Sequence, residues 1–218
     1  MTDPKLAADE AARTAAKAFQ SQSLTADETT LKLLFTEART HYGWQDRDVG
    51  EDTLRSLYEI AKMGPTSMNQ QPMRLVFVRS SDAKDRLEPA LLEGNRPKMR
   101  AAPVTAIIAH DLNFWEELPK LFPPNPGAQD IFKNSATAAQ VNAFRNGTLQ
   151  GAYFMLAARA VGLDVGAMSG FDNAKVDDEF FHGTSIKSNF LVNLGYADTS
   201  KIFRRLPRMD YDEVCETI

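Results

Sequence analysis

Gly64-Pro65-Thr66-Ser67-Met68-Asn69-Gln70-Gln71-Pro72 separates two segments of different periodicity. Before it, Leu54, Leu57, Tyr58 and Ala61 recur at i, i+3, i+4 and i+7, which predicts an amphipathic helix over residues 52–63. Gly50 or Asp52 stands where the cap of that helix belongs. After it, Leu75-Val76-Phe77-Val78 predicts a buried strand over 74–79. Glycine ends the helix, a proline stiffens each end of the loop, and most side chains between carry hydroxyl or amide groups. Such a loop presents donors and acceptors to a planar heterocycle without burying a charge. Taken alone, it is also an ordinary polar helix-to-strand turn.

Working outward, residues 1–28 are rich in Ala, Lys, Asp and Thr and poor in large apolar side chains. They predict a flexible, partly helical extension to a single domain over 29–218. Leu31, Leu34, Phe35 and Ala38 predict a helix over 30–40. Beyond the central loop, Ser81 is placed to cap a helix reaching about residue 92. The unbroken apolar run 104–109 predicts a strand buried on both faces. Residues 114–129, rich in aromatics and prolines, predict an excursion from the core and a candidate pocket lid. A helix over 145–160 carries Gly151, Ala152, Ala157, Ala158 and Ala160, small residues that suit close packing at a subunit interface. A short strand at 163–165, a turn at 166–170, a helix capped by Asp172 and a last strand at 190–196 follow. The chain ends in an arm carrying Arg204, Arg205 and Pro207. Helices outnumber strands and alternate with them irregularly, which predicts an α+β fold with a central mixed β-sheet wrapped by helices.

Composition narrows the chemistry. The 218 residues, 43% hydrophobic and 25% charged, suffice for one well-packed domain. A net charge of −4 argues against a nucleic-acid partner. No apolar run approaches the roughly 20 residues of a membrane span, and the first residues lack a hydrophobic signal core, so a cytoplasmic location is expected. Cys215 is the one cysteine, and His41, His110 and His182 lack ligand spacing, so no metal is expected. Neither a P-loop, a GxGxxG fingerprint nor a GxSxG elbow occurs. Arg39 with Thr40, Lys98 and Arg205 are anion-friendly positions near helix ends. Each by itself is as well explained as a solvated or helix-capping residue. Asp177-Asp178-Glu179 reads as a solvated helix face.

In order and spacing, however, several stretches resemble the nitroreductase family of FMN-dependent NAD(P)H oxidoreductases. They are Arg39-Thr40, Pro65-Thr66-Ser67-x-Asn69-x-Gln71-Pro72, Asn95-x-x-Lys98, Met168-Ser169-Gly170-Phe171-Asp172 and Arg205-Leu206-Pro207. The resemblance runs from about Leu31 to the C-terminus. Ala-Arg-Thr-His-x-Gly-Trp at 38–44, Ala-Pro-Val-Thr-Ala-Ile at 102–107 and Lys-Ser-Asn at 187–189 are similar to the subgroup containing malonic semialdehyde reductase of pyrimidine degradation.

The resemblance implies an intertwined homodimer with FMN at the subunit interface and NADH or NADPH as co-substrate. It implies that Arg39, Thr40 and Arg205 hold the FMN phosphate. Pro65, Thr66, Ser67 and Asn69 of the other subunit would line the flavin. Asn95 and Lys98 would face its pyrimidine edge, Lys98 stabilising charge at N1 and O2, and the backbone of Ser169 and Gly170 would donate to N5 and O4. No side-chain nucleophile is implied, since the hydride passes through flavin N5 in ping-pong fashion. The implied reaction is reduction of malonic semialdehyde to 3-hydroxypropionate or of a similar small aldehyde. The alternatives are a broad-specificity nitro or quinone reductase and a flavin-binding carrier or sensor without turnover. Water, His41 and Tyr42 are the candidate proton donors. Three residues depart from many relatives: Ala38 and Tyr42 stand where those carry basic residues, and Ser169 where they carry glutamate.

Overall fold

The computed structural model describes residues 4–22 and 24–218. It divides into two compact units, Met1–Ala38 and Arg39–Ile218. In the first unit, helix α1 (Pro4–Gln20) is exposed wherever its side chains are described. A short turn of helix (Glu28–Leu31) follows, with the Asp27 carboxylate accepting from Thr30 N at 2.7 Å, and it widens into a π turn (Lys32–Thr36). The helix expected over 30–40 therefore starts earlier and stops at Thr36. Leu31 and Phe35 of its expected apolar face are exposed. The expected flexible extension over 1–28 falls partly on residues 1–3 and 23, outside the described residues.

The second unit is built on a four-stranded sheet in the order β1-β2-β4-β3: β1 (Met73–Val78), β2 (Val104–Asp111), β3 (Asp164–Met168) and β4 (Ile186–Gly195). All three ladders are antiparallel. Among the described residues, the parallel component of the expected mixed sheet is the isolated bridge between Thr40 and Val165. β2 holds the centre because both its faces are apolar. Val104, Ala106 and Ile108 face one layer of core, Ile107 and Ala109 the other, and all are fully buried.

Helix α2 (Glu51–Ala61) and the 25-residue helix α5 (Ala136–Ala160) cover the first face, where Leu54, Leu57 and Phe154 pack on Val192 and Leu194. Helices α3 (Ser81–Leu87), α4 (Arg96–Ala101) and α6 (Asn173–Phe181) cover the second through Leu87, Met99 and Val176. The helix-wrapped sheet expected from the sequence is thus present.

Several local expectations change. Gly50 is the N-cap of α2, Ser80 rather than Ser81 caps α3, and α3 ends at Leu87 before a single 3-10 turn. Gly166 lies inside β3 rather than in a turn, and β4 begins four residues before the expected strand. The 114–129 segment is not an excursion. Phe114 and Leu118 are fully buried and form, with Ala128, Phe132, Ala139 and Ala143, a third apolar cluster under the start of α5. Small residues of α5 serve helix-on-sheet contact: a Cβ on Gly147 would sit 2.8 Å from His110 Cβ, and one on Gly151 2.5 Å from Phe190 Cζ.

That close contact buries His110, whose Nδ1 has no hydrogen-bond partner among the described residues. Burial pushes the His110 pKa below its usual value, the Asp177 and Asp111 carboxylates opposing it only in part. The unfolded chain then binds more protons than the folded one below the ordinary histidine pKa of about 6.5. Stability is therefore expected to fall as pH drops below about 6.5, by up to about 1.4 kcal/mol per unit from this group. His110→Leu should flatten that slope in denaturant melts between about pH 6.5 and 5. An unchanged slope would remove His110 from the acid response.

Candidate functional site

The nearest approach of the expected site residues occurs where β3 ends. Ser169 and Gly170 leave that strand beside the turn that opens α4. The Gly170 carbonyl accepts from Leu92 N at 3.0 Å and from Asn95 Nδ2 at 3.1 Å. Asn95 Oδ1 in turn accepts from Lys98 Nζ at 3.0 Å. A side chain at Gly170 would meet Asn95 Nδ2 at 2.5 Å, so glycine there lets the backbone close on the amide. Among the described residues, the N–H groups of Ser169 and Gly170 donate to no backbone carbonyl.

The Lys98 ammonium lies 4.9 Å over the Tyr42 ring, which makes a T-shaped contact with Phe203 at a centroid distance of 5.4 Å. Arg39 Nη2 donates to the Phe203 carbonyl. Thr40 is exposed and bridges Val165, and His41 N donates to the Val165 carbonyl at 3.0 Å. This places Arg39 and Thr40 against the start of β3, on the strand that delivers Ser169 and Gly170. Phe203 stands two residues before Arg205, which is exposed in the C-terminal segment.

His41 is buried, with Nε2 3.3 Å from Asp164 Oδ1. Burial holds its pKa below the usual histidine value, the Asp164 carboxylate pulls it up, and the Arg39 and Arg159 guanidiniums push it down. Asp164 also accepts from Ala197 N at 2.8 Å. His41 thus ties the Arg39–Thr40 segment to the sheet from inside.

The 64–72 loop sits elsewhere. It enters β1, the opposite edge of the sheet, with β2 and β4 between. Among the described residues, no hydrogen bond joins Pro65, Thr66, Ser67 or Asn69 to Asn95, Lys98 or Gly170. The loop is shaped internally, with Met68, Asn69 and Gln71 at φ of 50°, 52° and 43°. The Thr66 hydroxyl accepts from Gln71 N at 3.2 Å, and Asn69 Oδ1 accepts from Gln71 Nε2 at 2.8 Å. Asn69 Nδ2 donates to the Leu121 carbonyl at 2.9 Å.

Sequence reasoning missed the supports of this loop. Asn146, buried in α5, accepts from Ser67 N at 2.9 Å and donates to Gln70 Oε1 at 2.8 Å. Gln150 Oε1 accepts from Met73 N at 2.9 Å, and Asn142 Oδ1 lies 3.5 Å from Gln70 Nε2. Asn142, Asn146 and Gln150 recur every four residues in a helix of small and apolar residues. That ladder of amides was the signal.

A cleft of about 310 Å³ opens beside Ser169, lined by Thr148, Ala152, Met155, Ala167, Met168 and Phe190. Its walls are almost wholly apolar.

The nitroreductase family model matches residues 36–196. This chain belongs to the nitroreductase family. The match spans β1 to β4 and holds the Asn95–Lys98–Gly170 cluster, while Phe203 and Arg205 lie beyond it. Solved nitroreductase-type structures repeat the fold. A Bacillus subtilis protein classed as a nitroreductase superposes with a TM-score of 0.80 at 19% identity, covering 88% of this chain and 100% of its own. A nitroreductase-type protein of Exiguobacterium sibiricum, solved in complex with FMN, gives 0.79 at 17% identity over 89% and 99%. An enone reductase of gut-bacterial fatty-acid saturation gives 0.76 at 19% identity over 89% and 100%. Likeness at these identities concerns the fold.

Proposed function

We propose that this nitroreductase-family chain is an FMN-dependent NAD(P)H oxidoreductase acting in the cytoplasm as an intertwined homodimer, with residues 29–218 forming the cofactor-binding domain. Its proposed reaction is the reduction of malonic semialdehyde to 3-hydroxypropionate. The observation that carries the cofactor reading is the chain of contacts from Gly170 through Asn95 and Lys98 to Tyr42, Phe203 and Arg39. It connects a cation, an amide, the Ser169–Gly170 backbone and a guanidinium through successive contacts.

That donor set fits FMN, which has an anionic phosphate at one end and a ring edge rich in acceptors at the other. Arg39, Thr40 and Arg205 would hold the phosphate. Asn95 and Lys98 would hold the pyrimidine edge, and the N–H groups of Ser169 and Gly170 would donate to the ring. Bound FMN supplies the hydride carrier between NAD(P)H and the acceptor. Lys98, held by Asn95, would stabilise negative charge at the ring edge without reorganising.

Two observations support the homodimer. The 65–69 loop is held rigidly at the sheet edge remote from Gly170, as expected if Pro65, Thr66, Ser67 and Asn69 of the partner subunit complete the site. The C-terminal segment exposes Phe203, Leu206, Met209 and Tyr211, apolar side chains suited to a second copy.

A second reading is favoured by the cleft beside Ser169. Among the described residues no cationic side chain lines it, so it suits a neutral quinone or nitro compound better than a carboxylate-bearing aldehyde. Visible spectra of the purified protein discriminate these readings. A flavin band bleached anaerobically by NADH or NADPH and restored by malonic semialdehyde is the expected result. Restoration by a quinone but not by the aldehyde would favour the second reading. A band that neither nucleotide bleaches would indicate a carrier. Absence of flavin binding after incubation with FMN would overturn the cofactor assignment.

A further inference from the structure

We infer that Tyr42 is a positioning residue, whose ring face holds the Lys98 ammonium against Asn95 and whose ring couples that cation to the C-terminal segment at Phe203. Tyr42 presents its π face to the Lys98 ammonium. Lys98 Nζ has Asn95 Oδ1 at 3.0 Å on one side and the Tyr42 centroid at 4.9 Å on another. A cation within about 6 Å of a ring face is attracted by its quadrupole, more strongly when partly desolvated, as at these two half-buried residues. A second basic residue at this position would instead repel Lys98.

The aromatic partner of the ring is Phe203, in a T-shaped contact at 5.4 Å and 65°. The Phe203 carbonyl also receives Arg39 Nη2. Phe203 is therefore gripped twice, by ring contact and by hydrogen bond, although it is 69% exposed. The position of Lys98 and the seating of the C-terminal segment consequently share one aromatic side chain. Displacing the segment frees the Tyr42 ring, and a freed ring no longer fixes the ammonium. The significance for FMN rests on the cofactor reading above; the contact itself does not.

Two measurements test this. In apo protein with 13C-labelled lysines, the Lys98 Hε resonances, assigned by their loss in Lys98→Arg, should lie upfield of the other lysines from the ring current. Tyr42→Phe should keep that shift, and Tyr42→Leu and Phe203→Ala should reduce it. Lys98 resonances at ordinary lysine positions in the wild type would overturn the inference, whatever happens with FMN.

The second readout is FMN affinity from quenching of flavin fluorescence. Tyr42→Leu should weaken it roughly three- to thirtyfold while Tyr42→Phe restores it. In Lys98→Met, Tyr42→Leu should add little further loss. Full additivity of the two losses would show that Tyr42 does not act through Lys98. A wild type that does not bind FMN sinks the cofactor reading and leaves the resonance test intact.

Discussion

Asn146→Ala is expected to destabilise the second unit by about 2–4 kcal/mol, lowering its melting temperature by roughly 5–15 °C. Asn146 is 1% exposed; it accepts from Ser67 N, on an exposed residue, and satisfies Gln70 Oε1, on a side chain also 1% exposed. Removing Asn146 leaves the buried Gln70 Oε1 unpaired, at a cost of about 1–3 kcal/mol, and also loses the bond to Ser67 N, worth about 1 kcal/mol. The loop it anchors holds three non-glycine residues at positive φ, a conformation that persists only while its surroundings enforce it. Asn142→Ala should cost less, because its bond to Gln70 is the longest of the set at 3.5 Å. Thermal melts followed by circular dichroism decide the matter. A melting point for Asn146→Ala within about 2 °C of the wild type would mean that other contacts hold the loop.

Gly166→Ala should separate the Arg39–Thr40 segment from β3. A Cβ at this position would lie 2.5 Å from the His41 carbonyl oxygen, with Trp44 Cζ2 at 3.2 Å and Asn193 Cβ at 3.4 Å. The first obstacle is backbone and cannot rotate away, so either the strand or the 40–44 segment must move. Overpacking of this kind costs about 1–3 kcal/mol. If Arg39 and Thr40 hold a phosphate, FMN affinity should also fall by about tenfold or more, since their spacing from Gly170 is set through this contact. Gly94→Ala is the control, because nothing lies within 4 Å of a Cβ there. Equal FMN affinity in Gly166→Ala and wild type would count against phosphate binding by Arg39 and Thr40.

Periodic segments were legible in the sequence. The i, i+3, i+4, i+7 pattern of Leu54, Leu57, Tyr58 and Ala61 and the apolar run of β2 translate directly into α2 and the central strand. Asp172 caps α6, accepting from Lys175 N at 3.2 Å, as its position before the helix suggests. The 114–129 segment was misread because proline and aromatic content suggests an excursion, whereas burial of Phe114 and Leu118 depends on α5 lying over them. Gly166 reads locally as a turn residue, but its role is to admit the His41 carbonyl, a contact between positions 125 residues apart in sequence.

The candidate site divides the same way. Asn95 and Lys98 are three apart and meet as spacing suggests, whereas Tyr42 and Phe203 join them only through the fold. The amide ladder of α5 was visible in principle, but its helical start lies nine residues before the expected one, which hid Asn142 from the pattern.

One property of α5 reaches further. The same 25-residue rod carries Asn142, Asn146 and Gln150 toward the 64–72 loop and Thr148, Ala152 and Met155 toward the cleft beside Ser169. The angle between these two outlooks is a matter of helical phase, about 100° for every residue of offset. A single-residue insertion or deletion between Asn146 and Met155 would swing one outlook away from its target, and no side-chain adjustment restores the angle. Sequence length is thus pinned in this helix while composition stays comparatively free, and the phase of one rod keeps two opposite edges of the sheet in step.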